Sequence, residues 1–187
     1  MNRPLEREVK LRYSKPDEAR EAILKTGARL MRRRRLQQDS LLDTDDGTLN
    51  RQDSTLRVRV ESEQVTVTFK GPTIPSTMKL REELETSVGD GPTVLRMLER
   101  IGFTIAFRYE KYREEFRSGD DVIVAIDETP IGTFVELEGS AQGIEAFTVQ
   151  LGRAQSDYIT ETYYELFMQT GNADTTASPH MIFGSLT

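Results

Sequence analysis

The stretch Leu5-Glu6-Arg7-Glu8-Val9-Lys10-Leu11-Arg12-Tyr13 decides the fold, because charged and apolar side chains alternate along it. Successive side chains of a β-strand point to opposite faces, so Glu6, Glu8 and Lys10 share one face and apolar residues occupy the other. A sheet with one wet face would explain a single strand of this kind. The same alternation recurs along the chain, which indicates that acids and bases face one another.

Composition excludes several classes of function. The chain has 187 residues, 30% of them charged, and a net charge of −6, so general binding to nucleic acid or anionic membranes is not expected. It has no cysteine, which excludes disulfides and thiolate metal sites and fits a cytoplasmic location. Its one histidine, His180, gives no basis for a histidine-rich zinc site or a Ser-His-Asp triad. We see neither a signal sequence nor a run long enough to span a bilayer.

Period-two alternation predicts eight strands, and helical spacing predicts four helices around them. The strands are expected at Leu5–Tyr13, Met31–Thr44, Leu56–Glu61, Gln64–Lys70, Lys79–Glu85, Ala106–Phe116, Asp121–Asp127 and Thr133–Gly139. The helices are expected from Ser14, where that serine would cap the first turn, over Pro92–Gly102, over Ile144–Leu151 and around Tyr163. We expect Asp43–Asp53 to be a loop, residues 1–170 to form one domain and residues 171–187 to be a flexible tail.

The run Arg32-Arg33-Arg34-Arg35 stands out in the second strand. A basic run is more often a solvated face or edge strand than a ligand site, and we favour that interpretation. Period two nevertheless places Arg33 and Arg35 on the same face as Gln37 and Asp39.

The charged faces of these strands contain both acids and bases. The acids are Glu6, Glu8, Glu83, Glu85, Asp127, Glu136 and Glu138, and the bases are Lys10, Arg57, Arg59, Lys70, Arg81, Lys111 and Arg113. A flat sheet would put all of them in water and leave their regularity unexplained. A closed antiparallel eight-stranded β-barrel with helices packed outside would instead enclose them in a hydrated tunnel. Buried charges must be paired or meet a charged ligand, and a polyanion with a bound metal satisfies both signs. Bases would hold phosphate oxygens, and carboxylates would hold Mg²⁺ or Mn²⁺.

Several motifs together resemble those of the CYTH domain, the triphosphate tunnel metalloenzyme superfamily. They are Glu6-x-Glu8-x-Lys10, Arg57-Val-Arg59, Phe69-Lys70-Gly71-Pro72, Arg81-x-Glu83-x-Glu85, Lys111-x-Arg113, Asp127 and Gly132-x-Phe134-x-Glu136-x-Glu138. Gln37-x-Asp39 and Thr162-Tyr163-x-x-Leu166 are similar to elements of the class IV adenylyl cyclase branch. The chain departs from that branch at Leu41-Leu42, where a Tyr-Phe pair is usual, and at Arg35, where Glu is common. Together these motifs cover residues 5–167 and are more specific than any one of them.

The resemblance implies a role for each charged residue. Catalytic roles fall to Glu6, Glu8, Lys10, Glu85 and Asp127; triphosphate binding falls to Lys10, Arg57, Arg59, Lys70, Arg81, Lys111 and Arg113; metal ligation falls to Glu6, Glu8, Glu83, Glu85, Asp127, Glu136 and Glu138. Glu85 and Asp127 could instead orient the bases, and some bases could belong to a salt-bridge lattice that sets the barrel register. Lys79 and Lys111 could face either the tunnel or solvent. We expect Tyr163 to be a packing residue.

The implied function is a metal-dependent enzyme for a triphosphate-bearing small molecule. Attack by the ribose 3′-OH of ATP would yield cyclic AMP and pyrophosphate, and this cyclase reaction is slightly favoured. Attack by water would make the protein a triphosphatase acting on inorganic triphosphate, thiamine triphosphate or a nucleoside triphosphate. A non-catalytic polyphosphate binder is less favoured, because binding a polyanion needs only the bases. Whether the chain acts alone or as a homodimer stays open.

Overall fold

A computed structural model describes residues 5–119, 121–171 and 180–184. Strands are the most common element in this part of the chain. They are β1 (Leu5–Tyr13), β2 (Arg29–Thr44), β3 (Thr55–Glu61), β4 (Gln64–Lys70), β5 (Lys79–Val88), β6 (Phe103–Ser118), β7 (Val122–Thr129), β8 (Gly132–Glu138) and β9 (His180–Met181). The helices are α1 (Pro16–Lys25), α2 (Thr48–Arg51), α3 (Gly91–Arg100), α4 (Ala141–Gln150) and α5 (Tyr163–Gln169).

Eight of the strands close into an antiparallel barrel. Their order is β2-β3-β4-β5-β1-β8-β7-β6, and pairing between β2 and β6 closes the ring. The first strand of the chain, β1, pairs with β5 through Glu6 opposite Arg81, and with β8 through Lys10 opposite Glu136. The closed barrel predicted from the two-faced strands is therefore confirmed.

The barrel is apolar outside and charged inside. On β1, Val9, Leu11 and Tyr13 join a buried cluster outside the barrel, together with residues of α1 and α4 such as Ile23 and Phe147. A second cluster packs α5 on β6 around Phe107, and a third lies between α3 and strands β2 to β4. Burial of these outer faces beneath helices supplies the hydrophobic stabilisation that the charged interior does not.

Side chains that bond to free backbone N–H groups define several helix starts. Asp90 accepts from the N–H of Thr93 at the start of α3, and Ser140 accepts from that of Gly143 at the start of α4. Thr162 forms a capping box with Glu165 at α5. The prediction that Ser14 caps α1 is wrong, because the N-cap is Lys15 and the Ser14 hydroxyl donates to Glu18 instead.

The segment predicted as a loop at Asp43–Asp53 differs from the prediction by containing the short helix α2. The Asp43 carboxylate stabilises this turn, because it accepts hydrogen bonds from the backbone N–H groups of Thr44, Leu49 and Asn50 at 2.7, 2.8 and 2.9 Å. These bonds also hold the pKa of Asp43 below its usual range, although burial opposes them.

The predicted flexible tail at 171–187 falls mostly on residues 172–179 and 185–187, which lie outside the described residues, so that part stays a prediction. In the described part, β9 pairs in parallel with β6, with Met181 opposite Tyr109. Met181 is fully buried in the cluster around Phe107, and Phe183 packs on Tyr112 with ring centroids 5.1 Å apart. Residues 180–184 are thus attached to the barrel wall.

In the described ranges, none of the helices combines the length and the apolar character that crossing a membrane requires.

Candidate functional site

A cavity of about 450 Å³ occupies the barrel interior. All the residues assigned catalytic, triphosphate-binding or metal roles from sequence line it, with the exception of Asp127. Lys79, for which the sequence allows either the tunnel or solvent, also lines the cavity and is 5% exposed. The period-two alternation therefore placed these side chains around one cavity, although their strands are distant in sequence.

The acids form one side of this cavity. They project from three adjacent strands, two from each, and are Glu83 and Glu85 on β5, Glu6 and Glu8 on β1, and Glu136 and Glu138 on β8. We call this group the glutamate wall. Because carboxylates on neighbouring strands repel one another, such a wall requires cations against it.

Two lysines neutralise the middle of the glutamate wall. Lys10 Nζ lies 3.0 Å from Glu8 Oε1 and 3.8 Å from Glu136 Oε2. Burial alone would raise the pKa of Glu8, but the charge of Lys10 holds it well below its usual range. Lys70 Nζ lies 2.7 and 2.6 Å from the two carboxylate oxygens of Glu6 and 3.3 Å from Glu83 Oε2.

The wall still carries more negative charge than its neighbours neutralise. Burial and the nearby carboxylates Glu8 and Glu83 raise the pKa of Glu6 to about 8, against the charge of Lys70. Burial and the carboxylates of Glu136 and Glu83 raise the pKa of Glu138 to about 7. Both carboxylates would be stabilised in their charged form by an added cation.

The donor set suits a hard divalent cation, because every candidate ligand is a carboxylate oxygen. In the part of the chain that the structure describes, no three acids are grouped as a complete metal site. Mg²⁺ is usually held by one or two carboxylates with water and substrate phosphates, so a partial protein site fits it. Glu138 would hold the ion, since it lines the cavity and its carboxylate is not paired with Lys70 or Lys10 as those of Glu6 and Glu8 are.

Arg57 and Arg59 on β3 are held by Asp39 on β2. Arg59 makes a bidentate contact with Asp39, with Nε 2.8 Å from Oδ1 and Nη2 3.2 Å from Oδ2. Arg57 Nε lies 3.6 Å from Oδ1 of the same carboxylate. Asp39 is 2% exposed, and burial, which opposes ionisation, is outweighed by the two arginines, so that its pKa is lowered. Asp39 therefore orients both guanidinium groups along the cavity.

Asp127 lies behind the cavity surface and is fully buried. It accepts hydrogen bonds from Lys111 Nζ at 2.8 Å, from Arg113 Nε and Nη2 at 2.7 and 2.6 Å, and from the Tyr163 hydroxyl at 2.6 Å. These donors occupy both oxygens, so the structure does not support metal ligation or direct catalysis by Asp127. Its position fits the alternative role of orienting the bases.

Two cations on β5 lack a close acid. Lys79 Nζ is 3.7 Å from Glu8 Oε1, and Arg81 Nε is 3.9 Å from Glu6 Oε2, in each case beyond hydrogen-bond distance. Arg81 is 6% exposed, and its Nε has no hydrogen-bond acceptor in the described part of the chain. Burial and the neighbouring charge of Lys10 lower the pKa of Lys79 to about 8.

Lys111, which the sequence also allows to face either the tunnel or solvent, is 2% exposed and lines the cavity. Burial and the adjacent charge of Arg113 lower the pKa of Lys111 to about 8, although Asp127 opposes the shift. These buried bases would gain from an added anion.

The arginine run lies mainly outside the cavity, as the favoured interpretation predicted. Arg34 contacts both Glu128 oxygens at 2.6 and 3.0 Å, and Arg32 contacts Glu61. Arg35 bridges Glu61 and Glu115 at 2.9 and 2.8 Å, so this departure from the family pattern joins β2, β3 and β6.

Sequence reasoning missed an apolar side of the cavity. Leu41 on β2, Tyr109 on β6 and Tyr164 on α5 line it, next to Tyr163. Tyr109 could have been found, because period two places it on the same face as Lys111 and Arg113. Tyr164 could not, because no pattern in the sequence shows how α5 packs against the barrel.

Known proteins are similar to this chain over most of its length, including most of the residues that line the cavity. The CYTH domain family model matches residues 4–163. A protein of Methanocaldococcus jannaschii that carries the provisional name of an adenylate cyclase is 29% identical over 141 residues, which are 75% of this chain and 79% of that one.

Solved structures share the fold. A protein of Pyrococcus horikoshii OT3 superposes with a TM-score of 0.77 at 25% identity, covering 88% of this chain and 99% of that one. A Vibrio parahaemolyticus protein provisionally named an adenylate cyclase has a TM-score of 0.78 at 19% identity, covering 89% and 99%. A Hippeastrum protein, provisionally named an adenylyl cyclase and described as having a dominant triphosphatase activity, has a TM-score of 0.62 at 18% identity, covering 88% and 96%. The matches at 19% and 18% identity bear on the fold alone.

Proposed function

Because this chain belongs to the CYTH domain family, we propose that it is a divalent-metal-dependent enzyme that binds a triphosphate-bearing substrate inside its barrel. The metal would be Mg²⁺ or Mn²⁺. The substrate phosphates would lie between the bases and the glutamate wall, in the cavity of about 450 Å³.

The observation that carries this proposal is the pair of buried cations Lys79 and Arg81 on β5. Their nearest carboxylate contacts are 3.7 and 3.9 Å, and those carboxylates already serve Lys10 and Lys70. A buried cation without a hydrogen-bonded partner is costly, and phosphate oxygens would supply the missing acceptors. Arg81 can meet phosphate with a two-pronged contact, whereas Lys79 acts as a point charge.

We favour cyclase chemistry on ATP. The ribose 3′-hydroxyl would lose its proton as its oxygen forms a bond to the α-phosphorus. The bond from that phosphorus to the oxygen bridging it to the β-phosphorus would break, and pyrophosphate would leave, with the released proton passing to pyrophosphate or solvent. The bound divalent ion would neutralise phosphate charge and orient the reacting groups. The protein itself would supply placement and fixed charge, which dominate phosphoryl-transfer catalysis.

Each side of the cavity has a role in this scheme. Arg57 and Arg59, fixed by Asp39, would hold phosphate oxygens, and so would Lys111 and Arg113, fixed by Asp127. Lys10, paired with Glu8, would neutralise charge on the leaving group. Glu85 lies 3.4 Å from Arg57 Nη2 and accepts from Thr68, so it would orient Arg57.

A second candidate function is a triphosphatase, in which water attacks and a terminal phosphate leaves. This alternative is supported by the Hippeastrum structure, which has the same fold and whose description reports a dominant triphosphatase activity. The same phosphate cradle serves both reactions, so the fold does not choose between them. A non-catalytic binder is less favoured, because the glutamate wall exceeds what anion binding requires.

The deciding experiment is product chromatography of the full chain incubated with ATP or inorganic triphosphate, in Mg²⁺ or Mn²⁺. Cyclic AMP with stoichiometric pyrophosphate supports the cyclase. Orthophosphate from inorganic triphosphate, with no cyclic nucleotide from ATP, supports the triphosphatase. Absence of turnover of ATP, inorganic triphosphate and thiamine triphosphate with either metal would refute the enzyme proposal.

A further inference from the structure

One side of the cavity is apolar in an otherwise charged interior. Leu41, Tyr109 and Tyr164 line it, and all three belong to or pack against the buried cluster around Phe107. In the strand order, β2 and β6 lie across the barrel from β5 and β1. The apolar side therefore stands opposite the middle of the glutamate wall.

The other aromatic rings near this side are already engaged. Tyr163 donates its hydroxyl proton to Asp127, and its ring lies 5.4 Å from Lys10 Nζ and 4.9 Å from Lys111 Nζ. Tyr109 is 6% exposed and stacks on Phe107 with a centroid separation of 5.8 Å. Neither ring has a large free surface.

Tyr164 differs from both. It is half-buried, and its one ring contact in the described residues is an edge-on contact with Phe107, at 5.1 Å and 73°. In the same part of the chain, its hydroxyl makes no hydrogen bond. Tyr164 lines the cavity and is contacted by Phe107, so a partly exposed aromatic ring is available there to stack on a planar ligand.

The apolar side also adjoins the phosphate cradle. Leu41 is the register partner of Arg57, and Tyr109 is the register partner of Asp39, which holds both Arg57 and Arg59. A group bonded to the triphosphate would reach the apolar side while its phosphates lay against these arginines. Inorganic triphosphate has no such group and would leave the apolar side in water.

We propose that Tyr164, with Leu41 and Tyr109, binds an aromatic ring attached to the triphosphate, and so selects organic over inorganic triphosphate. The inference rests on the proposed function, since it assumes that the cavity binds triphosphate. Two sources share the required chemistry: the base of a nucleoside triphosphate and the ring system of thiamine triphosphate.

The test measures equilibrium binding by calorimetry, with EDTA present to prevent turnover. The ligands are ATP, thiamine triphosphate and inorganic triphosphate, and the proteins are wild type, Tyr164→Ala and Tyr164→Phe. Tyr164→Ala should weaken binding of at least one organic ligand by about tenfold or more, the scale of one base–aromatic stack. Binding of inorganic triphosphate should change less than about twofold, and Tyr164→Phe should bind as wild type does, because it keeps the ring.

Each outcome decides the question. If Tyr164→Ala weakens ATP binding, the ring that the subsite binds is a nucleoside base. If Tyr164→Ala weakens binding of thiamine triphosphate, the subsite binds the thiamine ring system. Equal weakening of all three ligands by Tyr164→Ala, or no weakening of any, overturns the subsite. If wild type binds inorganic triphosphate but neither organic ligand, the subsite fails while the phosphate cradle stands. If wild type binds none of the three even when Mg²⁺ replaces EDTA, the proposed function fails as well. Should Tyr164→Ala not fold, Leu41→Ala replaces it, with the same expectations.

Discussion

Tyr163 donates a 2.6 Å hydrogen bond from its hydroxyl to Asp127 Oδ2, which ties helix α5 to a carboxylate on β7. The same carboxylate holds Lys111 and Arg113 on β6. The expectation that Tyr163 is a packing residue was therefore incomplete, because its hydroxyl also completes the partners of a buried acid.

Tyr163→Phe should destabilise the protein by about 1–3 kcal/mol, because it removes a donor to a buried charged acceptor. Urea unfolding measures the change. Tyr164→Phe is the matched control on the next residue, and its free energy of unfolding should stay within about 0.5 kcal/mol of wild type. Equal effects of the two substitutions would contradict the role of the Tyr163 hydroxyl.

Arg81→Met should weaken binding of inorganic triphosphate by about ten- to a thousandfold, because a charge-assisted contact is lost. The ligand-free protein should be as stable as wild type or more stable, since a buried cation without a hydrogen-bonded partner is removed. Calorimetry and thermal unfolding report the two quantities.

Arg59→Met is the contrasting variant. It should also weaken binding, but it leaves the buried Asp39 with Arg57 alone at 3.6 Å, so the ligand-free protein should lose about 2–3 kcal/mol. If Arg81→Met and Arg59→Met destabilise the ligand-free protein equally, Arg81 belongs to a structural lattice and its assignment to phosphate binding is wrong.

Metal removal should abolish turnover. EDTA treatment followed by desalting should leave an inactive protein, and added Mg²⁺ or Mn²⁺ should restore it. Glu138→Gln should lower activity by about a hundredfold or more and weaken Mn²⁺ binding in the presence of triphosphate. Glu114→Gln, which changes an acid paired with Arg20 outside the cavity, is the control. Full activity after EDTA treatment would rule out the metal requirement.

The ligand-free protein should have a stability minimum near pH 8. The pKa values of Glu6 and Glu138 are raised from 4.5 to about 8 and about 7. Between pH 4.5 and about 8 the folded state therefore binds more protons than the unfolded state, and the free energy of unfolding falls as pH rises. The pKa values of Lys79 and Lys111 are lowered from 10.5 to about 8, so from pH 8 to 10.5 the unfolded state binds more protons, and stability rises.

Melting temperatures measured from pH 5 to 10 test this profile. Glu6→Gln should reduce the fall in melting temperature between pH 5 and 8. Lys79→Met should reduce the rise in melting temperature above pH 8. Triphosphate together with Mg²⁺ should reduce both, because the ligand neutralises the charges that create them. A melting temperature that rises steadily from pH 5 to 8 would be incompatible with the crowded glutamate wall.

The barrel and most of the site could be predicted because period two depends only on local backbone geometry. Glu6, Glu8 and Lys10 had to share a face once Val9 and Leu11 were buried. Closure followed from the many strands with two distinct faces, since charges on so many strands need a shared interior.

What the sequence did not disclose depends on register and helix docking. Arg113 lies opposite Asp127 on β7 and occupies its carboxylate oxygens. The period-two alternation does not show which residues lie opposite one another on neighbouring strands. The place of Tyr164 depends on how α5 packs on Phe107, and that contact joins residues 57 positions apart in the chain. Asp43, whose carboxylate stabilises α2, shows how one side chain can order a segment that composition marks as a loop.

The position of β1 in the barrel bears on the order of events during synthesis. Among the described strands β1 comes first, yet its partners are β5, which begins at Lys79, and β8, which begins at Gly132. A growing chain therefore keeps β1 unpaired until β5 has left the ribosome and only half paired until β8 has followed, and such non-local pairing slows folding. β1 carries Glu6, Glu8 and Lys10, so the cavity is expected to be among the last parts to form. Nascent chains that stop before β8 would expose the apolar face of β1, where chaperones would bind them.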